Sequence, residues 1–334
     1  MDAIILVGGR GTRLRPLTAR RHKSLLPLGR RRVFDYLLDW VAQNGLERAV
    51  LALGRHNDDL ALAYAARLHG DLPLVIVEEE EPLQSGGAIR YAFEQADVRG
   101  RFVVLNGDAF LEFPLAAMIS GHEERRAELS IALHEEDDVS EFGVAEVDGT
   151  GLITNFVEKS SRPPSHLVNA GAWIFEPGLV DEIEGPVRVE DTLFPGLVGA
   201  RRRVYGHLFG GLWADVGTPA RYRRLVLQLL ERGGAGTDPG AALAGTAIVE
   251  RSQVGPECEI GAGSAVVDSV LWEKVRIGDG ATVRASILAD GAVVGDGAEL
   301  VECVLGSGAR VPPDTIVPPQ TIIDSGEQYG GGNG

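Results

Sequence analysis

Short apolar runs alternate along the first part of the chain with longer segments whose apolar residues recur at helical spacing. The runs are Ala3–Val7, Ala49–Leu53, residues 74–77 and residues 102–105, and their length predicts strands. Residues 34–43, 58–68 and 87–96 carry the helical pattern between them. Strands separated by helices predict an α/β fold, Rossmann-like, with a mostly parallel sheet and flanking helices over residues 1–230. In such sheets ligands gather at the carboxyl ends of strands, which directs attention to the loops after Val7 and Leu105.

From residue 231 the pattern changes. Residues 231–242 are small and Gly-rich and predict a linker. Beyond them, over residues 243–324, Ile260, Ile277, Val294 and Val311 stand 17 residues apart, as do Val266, Val283 and Leu300. Ser269-Val270-Leu271 recurs as Ser286-Ile287-Leu288 and Cys303-Val304-Leu305. Apolar positions about six apart within each repeat predict a triangular β-solenoid with one inward residue per side. Residues 325–334 are expected to form a flexible tail.

The chain of 334 residues carries a formal net charge of -16, which argues against nucleic acid or an anionic membrane as partner. Cys258 and Cys303 make neither a disulfide framework nor a zinc spacing. The N-terminus has an acid where a signal peptide has basic residues, and no apolar stretch reaches the roughly 20 residues that span a bilayer. A cytoplasmic protein is expected.

Against that charge, one segment stands out. Between Arg10 and Arg32 lie eight arginines, His22 and Lys23, with no acidic residue. The segment opens as Gly8-Gly9-Arg10-Gly11-Thr12-Arg13, where glycines let backbone amides approach a phosphate. A solvated basic face is the ordinary reading of a charge run. Starting inside a Gly-rich loop at a strand end, this one favours phosphate neutralisation. An acidic run at 78–81 reads as a solvated strand end.

Gly8 to Thr18 followed by Lys23-Ser24-Leu25-Leu26-Pro27-Leu28 resembles the signature of the sugar-1-phosphate nucleotidylyltransferases. Leu105-Asn106-Gly107-Asp108, Phe156-Val157-Glu158-Lys159, Asn169-Ala170-Gly171 and Trp213-Ala214-Asp215-Val216-Gly217-Thr218-Pro219 resemble later motifs of that family. The resemblance, closest to members like mannose-1-phosphate guanylyltransferases, implies a nucleotidyltransferase domain followed by a left-handed β-helix. It further implies attack of a sugar 1-phosphate oxygen on the α-phosphorus of a nucleoside triphosphate. Such chemistry needs alignment and charge neutralisation rather than a side-chain base.

By the same resemblance, Asp108 and Asp215 would hold Mg²⁺, and Arg13 and Lys23 would meet the triphosphate and reacting centre. Leu6, Gly8, Gly9, Gly11, Thr12, Gln84, Gly86 and Gly87 would line the nucleotide site, and Gly143, Glu158, Lys159, Asn169 and Gly171 the sugar phosphate. Gln84 stands where guanylyl-transferring relatives have glycine, Ser24 and Ser160 where proline is common, and Arg32 at a second usual proline. GTP with mannose 1-phosphate or a heptose phosphate is the leading pair; thymidylyl, uridylyl and cytidylyl transfer stay open, as does a non-catalytic regulatory homologue. All seven histidines precede the linker, which removes the general base an acyltransferase solenoid would use. The solenoid is therefore expected to serve packing, regulation or homo-oligomer contacts.

Overall fold

The computed structural model describes residues 1–55, 57–234 and 236–330. The chain divides into two compact units, one of Met1–Gly9 with Phe34–Asp215, the other of Arg10–Val33 with the chain from Val216 onward. The basic segment and the helix Pro219–Glu231 both join the repeats.

In the first unit, Leu72–Glu78, Ala49–Leu53, Ala3–Val7 and Phe102–Asn106 pair in parallel in that order. Ala3–Val7 and Ala49–Leu53 are apolar throughout and almost wholly buried, as a sheet covered by helices requires. The fold is mixed α/β with this parallel core, not the mostly parallel sheet expected. Leu167–Phe175 pairs antiparallel with Phe102–Asn106, and Gly143–Val147 and Ile153–Glu158 continue antiparallel beyond it. The cause is local. Asp148 Oδ1 accepts from the backbone of Thr150 and Leu152, closing a tight turn that only an antiparallel pair can use.

The helix expected over 58–68 stops at Ala63. Gly70 at φ +58° turns the chain so that Leu68–His69 pairs antiparallel with Leu72 and Pro73. Beneath the sheet, Phe102, Phe156, Trp173, Phe175 and Phe194 are all buried and in ring contact.

In the second unit, Thr218 caps the helix Pro219–Glu231 by accepting from Arg221 N, with proline in the first turn. The repeats form three five-stranded parallel ladders among the described residues. Each step pairs residues 17 apart, as in Ile260↔Ile277, except Val304↔Ile322, where one residue is added. The columns read from sequence point inward: Ile260, Ile277, Val294 and Val311 are at most 3% exposed. Buried serines line one edge, with Ser252 accepting from Ser269 N, Ser269 from Ser286 N and Ser286 from Cys303 N. Both cysteines are buried and free, and burial pushes the Cys258 thiol up to about 11.

From Gly236 onward, the segment expected as a linker is already hydrogen-bonded into the stack. Val254 N donates to Gly236 O, and Ala242–Leu243 pairs with Glu259–Ile260. At the other end, Tyr329 N donates to Arg310 O, so residues 325–330 extend the ladder where a tail was expected. Ala235 of the linker and residues 331–334 of the tail lie outside the described residues. Among the described residues, no helix is long and apolar enough to cross a membrane.

Candidate active site

Within the first unit, Leu6 pairs with Ala52 on one side and Asn106 on the other, and Gly8 and Gly9 leave that strand exposed. Beside Gly8 lies Glu79, whose Oε1 is 3.7 Å from where a Gly8 Cβ would stand. Glu79 is buried and accepts from Leu83 N at 3.1 Å. Burial pushes its carboxyl above the ordinary range, the Leu83 amide opposing. The 78–81 run is thus not a purely solvated strand end. Sequence carried no signal separating Glu79 from its exposed neighbours.

Gln84 opens the helix Gln84–Gln95 at φ +61°, a backbone that glycine adopts without cost. Gly86 and Gly87 are buried by packing. A Cβ on Gly86 would stand 2.8 Å from Val187 O, the acceptor of its own N–H at 2.7 Å; one on Gly87 would stand 3.2 Å from Gly185 O.

Asp108 sits between Phe102–Asn106 and the short strand Ala109–Leu111. The latter pairs antiparallel with Trp213–Asp215, placing Asp215 opposite Ala109, the residue that follows Asp108. Trp213 secures that strand by donating Nε1–H to Ala170 O at 3.0 Å. Among the described residues, no group of three or more His, Cys, Asp or Glu is gathered for a metal ion. A pair of carboxylates is a partial set of hard oxygen donors. It suits Mg²⁺, which keeps water and takes phosphate oxygens, and not a cation needing an all-protein cage.

Glu158 lies opposite Gly143 in register, and a Cβ there would come within 2.6 Å of Glu158 Oε2. Arg188 Nη2 stands 2.9 Å from Glu158 Oε1, while Lys159 Nζ is 3.8 Å from that oxygen. Arg188 also neighbours Glu190 at 3.9 Å, and Glu190 accepts the Ser85 hydroxyl at 2.6 Å. Ser85 accepts in turn from Val189 N, so one polar chain joins the start of the Gln84 helix to the Glu158 segment. Burial raises the Glu190 carboxyl, with Ser85 and Arg188 opposing. Neither Arg188 nor Glu190 was legible, because Val187-Arg188-Val189-Glu190 shows only apolar–charged alternation.

Lys159 has φ +48°. A proline at 160 would press residue 159 toward extended backbone, so Ser160 is compatible with this turn. Asn169 Oδ1 accepts from Trp173 Nε1 at 2.7 Å and Gly171 N at 3.0 Å, holding a break in strand register. Gly171, at φ +74°, leaves room for Asn106, whose Nδ2 would be 2.6 Å from a Cβ.

Within the second unit, Gly11 has φ +59° and its carbonyl accepts the Thr18 hydroxyl at 2.7 Å. A Cβ on Gly11 would stand 3.2 Å from Lys23 Cβ, so the loop and Lys23 are packed together. Thr12 and Arg13 are exposed on the single turn Thr12–Leu14, with Leu14 buried beneath. Lys23 opens a second single turn, where Ser24 N donates to His22 Nδ1 at 3.2 Å. Proline at 24 could not make that bond.

The Nucleotidyl transferase family model matches residues 2–232, and the GMPPB C-terminal domain model matches 234–327. The chain is 32% identical to a mannose-1-phosphate guanylyltransferase of Mycobacterium tuberculosis, over 83% of this chain and 81% of that protein. It is 31% identical to a probable mannose-1-phosphate guanylyltransferase of Oryza sativa, over 81% and 79%. Among solved structures, HddC from Yersinia pseudotuberculosis superposes with a TM-score of 0.60 at 23% identity, covering 68% of this chain and 99% of that one. The same protein is also known in complex with GMP-PN.

Proposed function

The chain belongs to the Nucleotidyl transferase family, as a sugar-1-phosphate nucleotidylyltransferase, and from that premise we propose that it joins GTP to mannose 1-phosphate, giving GDP-mannose and pyrophosphate. The observation that supports the reaction is that Asp108, just past the carboxyl end of a parallel strand, directly precedes Ala109, the ladder partner of Asp215. The base and sugar rest on the names of the relatives and on a GMP-PN complex of a protein sharing the fold.

In this reading the sugar phosphate's own oxygen is the nucleophile, so no residue needs to remove a proton. Asp108 and Asp215 would hold Mg²⁺, which when bound supplies positive charge at the α-phosphate. Lys159, half-exposed beside Glu158, takes the sugar phosphate. Arg13 and Lys23 neutralise triphosphate oxygens, each in the way its shape suits: Arg13 as a fork, Lys23 as a point charge. The stacked coils are read as a left-handed β-helix, with an outer face available to a second copy in a cytoplasmic homo-oligomer.

The test is pyrophosphate release from a panel of nucleoside triphosphates and sugar 1-phosphates in the presence of Mg²⁺. GTP with mannose 1-phosphate is expected to give the highest kcat/KM. A different preferred pair would overturn the substrate assignment, and no release from any pair would overturn the reaction.

A further inference from the structure

The segment Arg10–Val33 carries Arg13 and Lys23, and it belongs to the same compact unit as the stacked coils. It is fastened to those coils along its length. Pro16 lies against the backbone of Gly306, where a Cβ would come within 2.9 Å of Pro16 Cβ. The Arg21 guanidinium stands 4.8 Å from the ring centre of Trp272 and pairs with Asp290. Pro27 O accepts the hydroxyl of Tyr222, which is itself held by Trp272 Nε1 at 3.0 Å. Gly29 N donates to Gln253 Oε1 at 2.7 Å.

These partners are not scattered. Gln253, Val270, Ile287 and Val304 are in register on one ladder, and Trp272, Asp290 and Gly306 each follow their register position by two or three residues. Successive coils thus present the same edge to successive parts of the segment. Trp272 is 1% exposed and Tyr222 fully buried, and Arg21 is only partly solvated against them. Burial raises the Asp290 carboxyl, with Arg21 pulling it back down. A cation over an indole and beside a half-buried carboxylate is held in one place more firmly than either contact alone would hold it. Arg21 is two residues before Lys23.

We propose that the stacked coils are a positioning element for nucleotide binding: Trp272 and Asp290 hold Arg21, and Arg21 sets the backbone from which Lys23 reaches phosphate. Asp290, Trp272 and Arg21 are positioning residues and touch no substrate. The inference rests on the reading that Lys23 meets the triphosphate, and it assigns that half of the reaction, not the sugar phosphate half, to the coils.

The experiment compares wild type with Asp290→Asn, Trp272→Phe and the swap Arg21→Asp with Asp290→Arg. Asp279→Asn serves as a stack control, since Asp279 Oδ1 accepts from Ala262 N within the coils. Hydrogen exchange of residues 17–29 is read alongside steady-state kinetics. Asp290→Asn is expected to speed exchange in that segment and raise KM for the triphosphate by about three- to tenfold, with KM for the sugar phosphate unchanged. The swap should recover part of both effects. Asp279→Asn should lower Tm without altering either KM. Unchanged exchange in Asp290→Asn would overturn the fastening, and faster exchange with unchanged triphosphate KM would overturn the positioning role. Absence of turnover in wild type would overturn the proposed reaction instead, leaving exchange as the measure of the fastening.

Discussion

Arg188 Nη2 stands 2.9 Å from Glu158 Oε1, the oxygen that Lys159 Nζ approaches only to 3.8 Å. Two cations share one carboxylate, and the nearer of them is arginine. While Arg188 satisfies Glu158, the lysine charge is less committed and more available to a phosphate. Arg188→Gln should let Lys159 close onto Glu158. The expected result is a rise of about tenfold in KM for the sugar phosphate, roughly 1.4 kcal/mol, at unchanged triphosphate KM. Arg188→Lys should recover part of the loss. Steady-state kinetics with each substrate varied separately checks both.

Gln84 holds a left-handed backbone with an exposed side chain. Gln84→Gly should therefore stabilise the fold, by about 0.5–1 kcal/mol if the relief of strain exceeds the entropy glycine costs in the unfolded chain. A thermal melt reads the sign. A fall in Tm would mean that the glutamine side chain makes a contact worth more than the strain.

Glu190 is buried and its carboxyl is raised, burial being the main cause. A raised folded-state value means the native protein keeps this proton to higher pH than the unfolded chain does. The site's contribution is present below the ordinary glutamate range, about pH 4.3, and is lost as pH climbs through the raised value. Glu190→Gln removes the titration while keeping an acceptor for Ser85. The Tm of the variant minus that of wild type should grow as pH rises from about 4 to 7. A constant difference over that range would contradict the assignment.

Asp108→Asn keeps the shape of one proposed ligand and removes its charge. The Mg²⁺ concentration for half-maximal rate should rise about tenfold or more, and kcat should fall, while Tm stays within about 2 °C of wild type. Activity titrated against Mg²⁺ decides it; a wild-type curve would remove Asp108 from the metal site.

Legibility followed the range of each interaction. The 17-residue columns were readable because a stack repeats one environment, so Ile260, Ile277, Val294 and Val311 report the same inward position four times. Ala3–Val7 and Ala49–Leu53 were readable because parallel strands covered on both faces are apolar throughout. What escaped depends on contacts distant in sequence. Glu79 is exposed by every local rule and is buried by what packs around it. Arg188 becomes important only because Glu158, 30 positions away, faces it. Arg21 sat in an arginine-rich run where nothing marked it off; its distinction is Asp290, 269 positions later. The motif residues are legible by resemblance; the ladder sets Asp215 opposite Ala109, next in the chain to Asp108, and packing accounts for Gly86.

The registered edge formed by Gln253, Trp272, Asp290 and Gly306 also makes the number of coils a measured quantity. Excising one whole coil between Gln253 and Gly306 would leave every remaining ladder in register, because the repeat is indifferent to how many times it occurs. It would nevertheless slide the later partners by one strand spacing, about 4.8 Å, and offer Arg21 or Pro16 the wrong neighbour. Turns added past Ile323 would meet no such constraint. The stack can lengthen at its far end, but between those four residues it is a ruler whose divisions are already in use.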